Sequence, residues 1–184
     1  NTMLVGFLGL APAQASARVH VVETFTTAIS GLNHLFHGNV DFKLFFRLLI
    51  PGMIGGVTGA YLLTHIDGAV VKPFVLAYLV GIGLWLLVRG ILYPPKIMKP
   101  KLVEPLGLIG GFLDAAGGGG WGPVVTSNLL VQGAEPRKVV GTVNSVEFFL
   151  TLTISAAFIS QLGFADVAGA TLGLLIGEAQ LRDE

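Results

Sequence analysis

The sequence predicts an all-α polytopic membrane protein with two related helical repeats, inverted relative to each other, and one helix that is broken by glycines. The composition is 53% hydrophobic and 12% charged, with a mean hydropathy of +0.77, whereas soluble domains carry about 25% charged residues. Helix-length apolar segments alternate with short polar stretches. A run of four glycines, residues 117–120, interrupts one of these segments. Together these observations indicate that the chain is built for a lipid bilayer.

The charge and the residue types limit the partners of the chain. Its formal net charge is zero, which argues against nucleic acid as a partner. It has no cysteine, so it offers neither disulfides nor thiolate metal ligands. No Gly-x-Ser-x-Gly nucleophile motif is present, and no Gly-Lys-Ser/Thr follows the glycine run as in a phosphate-binding loop. We therefore expect neither an enzyme nor a bound cofactor.

The first repeat is assigned to residues 1–101. Residues 15–37, 42–64 and 68–90 are helix-length segments, and the last two are apolar enough to cross a bilayer once their flanks are counted. Residues 93–101 are proline-rich and basic, which predicts a central loop. The second segment carries glycines at a spacing that suits close helix contact, namely Gly52, Gly55, Gly56 and Gly59.

The segment 15–37 differs from the other two because it carries a polar stripe. The polar residues recur at steps of three or four, which places them on one helix face: His20, Glu23, Thr27, Ser30, His34 and His37. Exposing such a stripe to lipid would cost free energy, so we expect it to face the bundle interior or a water-filled path. We interpret it as a pathway-lining face; hydrogen bonding between helices is the alternative.

The second repeat is assigned to residues 102–184 and contains the glycine break. Residues 106–114 predict a half helix, the glycines interrupt it, and a second half helix reaches about Val131. Residues 137–161 predict a full span, and residues 164–177 begin another that is too short to cross. Within a bilayer, non-helical backbone persists only where protein buries it or a cavity wets it. A broken helix therefore points to a transport site.

Backbone amides around this break are candidates for binding an anion. A helix that begins after Trp121 would aim its N–H groups, and about half a positive charge, at one spot. Side chains one turn further on can also donate hydrogen bonds. The predicted substrate-binding residues are Gly118, Gly119, Gly120, Trp121, Thr126, Ser127 and Asn128, with His20 and Asn144 from the two polar stripes. The alternative is that the break is only a tight packing bend.

Shifting the chain by 124 residues against itself reveals an internal repeat. Seven of nineteen positions are identical without a gap, among them the pairs Pro12/Pro136, Glu23/Glu147 and Thr27/Thr151. The polar stripe therefore recurs at Asn144, Glu147 and Thr151. The glycine motif of the first copy would lie before Asn1, so we expect the natural chain to extend beyond both ends of this one.

The distribution of basic residues predicts the orientation. If the broken segment enters and leaves on one side, eight basic residues share that side and two, Arg18 and Lys72, lie opposite. If the segment crosses completely, the ratio falls to six against four. The first arrangement obeys the positive-inside rule better. It places three spans between the starts of the two copies, so the Glu23 and Glu147 helices run in opposite directions, as in an inverted repeat.

The two glutamates of the stripes allow three interpretations. Glu23 and Glu147 carry protons, bind a cation such as sodium, or bond to a neighbouring helix. An ionised carboxylate repels an anion and a protonated one tolerates it, so proton coupling fits these positions, with Thr27 and Thr151 lining the same path. The pair His34 and His37 has a spacing that could ligate a metal on one helix face, which leaves a membrane metalloenzyme as a further alternative.

The glycine motif also resembles a known family. Residues 117–123, which read GGGGWGP, are followed by Gly133-x-x-Pro136 and by the run 139–142, VVGT. This pattern resembles the second-half signature of the TauE/SafE permeases, also called TSUP permeases. Residues 15–41 and the glycine-rich stretch 52–59 are similar to the first half of that family. The chain departs from the family pattern because its first copy lacks the glycine motif.

The resemblance implies a multi-pass permease of the bacterial cytoplasmic membrane that moves sulfite, sulfonates or related small anions. We expect alternating access, in which one half rocks against the other, with proton or sodium coupling. The different-class alternative is a structural or assembly membrane protein whose polar stripes join helices. The sequence leaves open the exact substrate, the coupling ion, the direction of transport, and whether the chain forms a homo-oligomer.

Overall fold

A computed structural model of the chain describes residues 11–66, 101–164 and 167, together with isolated positions at 70, 73–74, 77, 80–81, 84, 87–88 and 91–92. The described part is helical and contains no strand, which confirms the predicted all-α class. Its helices are α1 Pro12–Phe36, α2 Phe42–His65, α3 Val103–Gly117, α4 Ser127–Val131 and α5 Pro136–Leu162, with a π-helical turn, Gly122–Thr126, before α4.

Helix α1 confirms the predicted segment 15–37 but begins three residues earlier. Pro12 occupies the first helical turn, where its fixed φ suits the helix and its missing N–H removes no bond. The helix ends at Phe36, and the chain turns at Gly38, which has a φ of 65°. Positive φ is a conformation that glycine adopts without strain.

Helix α2 confirms the predicted span 42–64. Asp41 caps its N-terminus, because the Asp41 carboxylate accepts hydrogen bonds from the amides of Lys43 (2.9 Å) and Leu44 (3.2 Å). Most of the predicted span 68–90 lies outside the described residues, as does the predicted loop 93–101 except Lys101; the described positions between 70 and 92 are helical. Of residues 164–177, only 164 and 167 are described.

Helices α2 and α3 run parallel and meet along their glycines. An added Cβ on Gly55 would overlap the carbonyl oxygen of Leu108, and one on Gly111 would overlap that of Gly52. One turn further along, a Cβ on Gly59 would lie 3.1 Å from the Cβ of Ala115. The absence of side chains at these points lets the two backbones touch. This confirms the packing role expected for the glycines of α2.

Helix α5 packs against both α1 and α2. The Asp41 amide donates to Thr142 Oγ1 (2.8 Å), and the rings of Phe45 and Phe149 meet edge to face at 5.8 Å, so α2 and α5 are parallel. In contrast, α1 is antiparallel to α5, because His20 lies against Phe158 with ring centroids 6.3 Å apart, whereas Ser30 lies against Asn144.

Two of the described helices, Phe42–His65 and Pro136–Leu162, are long and apolar enough to cross a membrane. Large apolar side chains remain exposed over the surface of the bundle, among them Phe25, Ile29, Phe36, Phe42, Phe46 and Ile50. Contiguous apolar surface on this scale marks a contact with lipid or protein. The polar stripe of α1 instead turns inward, as predicted: His20 and Thr27 are buried.

Candidate functional site

The segment from Val103 to Val131 forms a re-entrant hairpin. Helix α3 runs parallel to α2, the chain breaks after Gly117, and the π-helical turn and α4 return toward the starting end. The two ends of this segment meet, because the Lys101 amide donates to Gln132 Oε1 (2.5 Å). The re-entrant hairpin therefore enters and leaves at one end of the bundle, which is the arrangement that the basic residues predicted.

An ion pair joins the start of the re-entrant hairpin, the first turn of α3, to α2. Arg47 donates from Nε to Glu104 Oε1 (2.5 Å) and from Nη2 to Glu104 Oε2 (3.0 Å). This bidentate geometry fixes the direction in which α3 starts as well as its position.

Glycines make the break at the tip of the re-entrant hairpin. Gly118 and Gly119 have φ angles of 61° and 136°, values that side-chain-bearing residues rarely adopt. The Gly118 amide donates to the carbonyl oxygen of Asp114 (2.6 Å) and so closes the last turn of α3. The chain then re-enters a helix as a π-helical turn, a form that is rare and frequent at functional sites.

Asp114 connects the tip to α1. Its side chain is 1% exposed; Oδ1 accepts a hydrogen bond from the Trp121 amide (2.8 Å), and Oδ2 lies 3.2 Å from His20 Nε2. From the sequence, Asp114 is expected only at the end of a half helix and is not among the predicted site residues. The signal was present, since an ionisable residue inside a membrane segment is a functional candidate by default.

His20 is fully buried and its ring is held from both sides. Nδ1 donates to the Ser16 carbonyl oxygen (2.8 Å) and lies 3.3 Å from Ser16 Oγ, while the Ser16 hydroxyl donates to the Ala115 carbonyl oxygen (2.5 Å). The hydroxyl proton of Ser16 thus points away from the ring. This support directs Nε2 at Asp114, in the way that outer hydrogen bonds orient functional histidines. Sequence reasoning also missed Ser16.

Trp121 joins the tip to α2 and α5. Its side chain is fully buried, and Nε1 donates to the carbonyl oxygen of Val143 (3.3 Å). The ring fills the space that glycines leave, since a Cβ on Gly52 would lie 3.0 Å from Cη2 and one on Gly110 would lie 3.4 Å from Cε3. With Asp114, this side chain connects the tip of the re-entrant hairpin to each of the three long helices.

Two more carboxyl groups lie at the same place. Glu23 on α1 and Glu147 on α5 are half-buried, and the charges of His20, Glu23 and Asp114 all act on Glu147. Among the described residues, no hydrogen-bond partner reaches the buried Oε2 of Glu23. We refer to His20, Glu23, Asp114 and Glu147 as the polar cluster. It brings together residues from both stripes and from the re-entrant hairpin.

Several predicted site residues use their side chains within the bundle. Thr27 Oγ1 donates to the Glu23 carbonyl oxygen (2.6 Å), and Thr151 Oγ1 donates to that of Phe148 (3.1 Å), each within its own helix. Asn128 Nδ2 donates to the Val124 carbonyl oxygen (2.7 Å). Asn144 Nδ2 donates to Ser30 Oγ (2.9 Å), a bond between the two stripes.

The remaining predicted substrate-binding residues lie at and after the break. Gly119 is exposed, and a Cβ added there would meet no atom of the described residues within 4 Å. Within the described part of the chain, the Gly119 and Gly120 amides donate no hydrogen bond. Thr126 and Ser127 are half-buried on the returning arm. Among the described residues, the exposed Gly119 amide and the buried Gly120 amide are therefore left without a hydrogen-bond acceptor.

The two histidines at the end of α1 lie apart from this site. His37 is exposed, and its Nδ1 donates to the Asn33 carbonyl oxygen (2.8 Å) of the same helix. No group of three or more His, Asp or Glu residues among those described has the arrangement of a metal site.

Comparisons with known proteins give consistent results. The family model for "Sulfite exporter TauE/SafE" matches residues 2–180. A protein of Bacillus subtilis (strain 168) described as "Probable membrane transporter protein YtnM" is 45% identical over 175 residues, which cover 91% of this chain and 58% of that protein. The chain thus spans somewhat more than half the length of this relative. No solved structure matches the chain.

Proposed function

Because the chain belongs to the sulfite exporter TauE/SafE family, we propose that the full-length protein is a permease of the bacterial cytoplasmic membrane that moves a small anion. The family description names sulfite, and the proposed substrate is sulfite, a sulfonate or a related sulfur oxyanion.

The observation that carries this proposal is the tip of the re-entrant hairpin. Its non-helical backbone meets the polar cluster inside a bundle with apolar outer faces. Irregular backbone at membrane depth is tolerated where it lines a cavity, and broken helices hold the substrate in many transporters. The amides of Gly119 and Gly120 supply donors for an anion, and Thr126 and Ser127 supply hydroxyl groups from the returning arm.

Alternating access follows from the proposed inverted repeat. Helices α1 and α5 begin at the equivalent prolines, Pro12 and Pro136, and they pack antiparallel. This supports the interpretation that the two copies are related by an axis in the membrane plane. In such transporters one half rocks against the other around a fixed site at the repeat interface. The contact between the two stripes is that interface here.

Coupling to protons is assigned to the two glutamates. Glu23 and Glu147 flank the tip from opposite helices, and Glu23 Oε2 has no hydrogen-bond partner among the described residues. When both carboxyl groups are ionised they repel an anion, and protonation removes that repulsion. Binding of the anion and binding of protons therefore favour each other.

The test is anion flux in proteoliposomes that contain the full-length protein, with sulfite and small sulfonates as substrates. Glu147→Gln keeps the shape of the side chain and removes its charge and its proton. We expect wild-type flux to respond to a proton gradient and the variant to lose that response. The matched control is Glu135→Gln, because Glu135 is exposed before α5 and its side chain makes no capping bond.

One contact favours a second candidate, a structural or assembly membrane protein. The bond from Asn144 to Ser30 shows that part of the polar stripes joins helices. If the folded wild-type protein moved none of the tested anions, this second function would replace the permease. Equal coupled flux in wild type and Glu147→Gln would instead leave a permease in which Glu147 is structural.

A further inference from the structure

We propose that His20 and Asp114 share one transferable proton, and that this proton locks the tip of the re-entrant hairpin to α1. The inference rests on the proposed transport function, because a lock at this tip controls access to the anion site. It makes Asp114 a positioning residue and gives the polar cluster a third proton-binding position, in addition to the two glutamates.

The proton count follows from the hydrogen bonds. The Ser16 carbonyl oxygen can only accept, so His20 Nδ1 carries a hydrogen. Ser16 Oγ also accepts from Nδ1, since its own hydrogen goes to the Ala115 carbonyl oxygen. The contact of 3.2 Å between Nε2 and Asp114 Oδ2 then needs one further proton. That proton sits on either atom, as imidazolium with carboxylate or as neutral imidazole with carboxylic acid.

Removal of this proton changes the contact from attractive to repulsive. The lone pair of Nε2 would face the lone pairs of a carboxylate oxygen. Both side chains are buried, at 0% and 1% exposure, so water does not separate them. The pair carries no net charge with the proton and one negative charge without it. The proton therefore has to leave before His20 and Asp114 can separate without cost.

Asp114 transmits this change to the tip. Its other oxygen, Oδ1, holds the Trp121 amide, so a rotation of the carboxylate away from His20 moves or releases Trp121. With the proton bound, one carboxylate joins α1 to the first residue after the glycine break. Without it, Asp114 turns away from His20 and releases the Trp121 amide, so the indole can leave its contacts with α2 and α5. The hydrogen bond from the Ser16 hydroxyl to the Ala115 carbonyl oxygen still joins α1 to the end of α3.

The other charged groups that face the pair give the proton a route. Glu23 lies one turn after His20 on α1, Glu147 faces the pair from α5, and both interact electrostatically with His20. The proton passes from the pair to one of these carboxylates. From there it can pass to water, because both glutamates are only half-buried. The negative charge left on the pair then adds to the repulsion of an anion, so proton release and anion release favour each other.

The test uses Asp114→Asn in the full-length protein. An asparagine can accept from the Trp121 amide through its oxygen and donate through its NH₂ to the neutral Nε2 of His20. It therefore copies the locked geometry without a removable proton. His20→Gln is the second variant, in case the first does not fold, because a glutamine amide can donate to Asp114 and does not titrate.

The primary measurement is the fluorescence of Trp121 against pH, with every other tryptophan replaced by phenylalanine. We expect the emission of the parent protein to shift to the red as pH rises, because the buried indole becomes accessible to water when the tip is released. The emission of Asp114→Asn and His20→Gln should not change with pH. An unchanged parent emission, or the same titration in a variant, would overturn the proposal.

The second measurement is flux of methanesulfonate, whose charge does not change with pH. Flux through the parent protein should fall as pH rises. Asp114→Asn should lose the part of this dependence that the His20–Asp114 pair supplies and keep the part that the two glutamates supply. A pH-dependent Trp121 signal without any flux would contradict the permease and leave the proton site intact. Flux with identical pH profiles in parent and variant would contradict the proton site and leave the permease intact.

Discussion

The two carboxylate oxygens of Asp114 bind different parts of the protein, one the backbone of Trp121 and the other the ring of His20. This buried side chain thus joins the tip of the re-entrant hairpin to α1, beside the hydrogen bond from Ser16 to Ala115. Neighbouring residues make this geometry specific, because Ser16 fixes the ring of His20 and the Val143 carbonyl oxygen fixes the indole of Trp121. The structural role of each of these residues is therefore to connect particular helices.

Ser30 and Asn144 offer a residue-scale test of the contact between the two stripes. Ser30→Ala and Asn144→Ala each remove the same hydrogen bond of 2.9 Å. We expect a double-mutant cycle to give a coupling energy of about 0.6 kcal/mol, with about 1.7 kcal/mol as the upper end for such bonds between membrane helices. The measurement is the free energy of unfolding in mixed micelles.

Ser160→Ala is the control for this cycle, because Ser160 is exposed and its hydroxyl donates only to the Ala157 carbonyl oxygen of its own helix. Additive effects of Ser30→Ala and Asn144→Ala would mean that the bond contributes nothing. In that case the amide of Asn144 would be available to the substrate, as the sequence analysis proposed.

At the scale of whole elements, α2 packs closely against the re-entrant hairpin because glycines form its contact face. Gly55→Ala would place a methyl group onto the carbonyl oxygen of Leu108 in α3. A backbone carbonyl cannot move aside as a flexible side chain can. The two helices would therefore have to separate. We expect a loss of about 1–3 kcal/mol in the free energy of unfolding, measured in mixed micelles.

Gly81→Ala is the matched control, since a Cβ at Gly81 meets no atom of the described residues within 4 Å. Alanine should be neutral or slightly stabilising there, because it favours a helix more than glycine does. If Gly55→Ala were equally harmless, α2 and α3 would not pack at this distance.

Local patterns in the sequence predicted these elements well. The stripe on α1, the glycines of α2 and the break after Gly117 are each visible within one stretch of chain. The partners across helices were not visible in this way, because spacing on one helix does not say which residue of another helix it meets. His20 was therefore predicted as a site residue, whereas its partner Asp114 was assigned only to the end of a half helix.

At the scale of the whole molecule, the described lysines and arginines other than Arg18 gather at one end of the bundle. Lys43 and Arg47 lie at the start of α2, Lys101 lies at the entrance of the re-entrant hairpin, and Lys138 donates to the Gly38 carbonyl oxygen (2.7 Å) at the same end. The positive-inside rule predicts that this end faces the cytoplasm. Both ends of the re-entrant hairpin then open to the cytoplasmic side, and its tip lies deeper in the membrane.

Single cysteines test this topology, and the chain has none of its own. Lys101→Cys and Glu135→Cys stand before and after the re-entrant hairpin, and His65→Cys stands at the far end of α2; all three positions are exposed. In intact cells that carry the full-length protein, otherwise free of cysteine, an impermeant maleimide should label position 65 only. Positions 101 and 135 should react only after the membrane is opened, because a segment that returns leaves both of its ends on one side.

Labelling of 101 and 135 from opposite sides would mean that residues 103–131 cross the membrane. The Glu23 and Glu147 helices would then run in the same direction, and the inverted repeat on which alternating access rests would be lost.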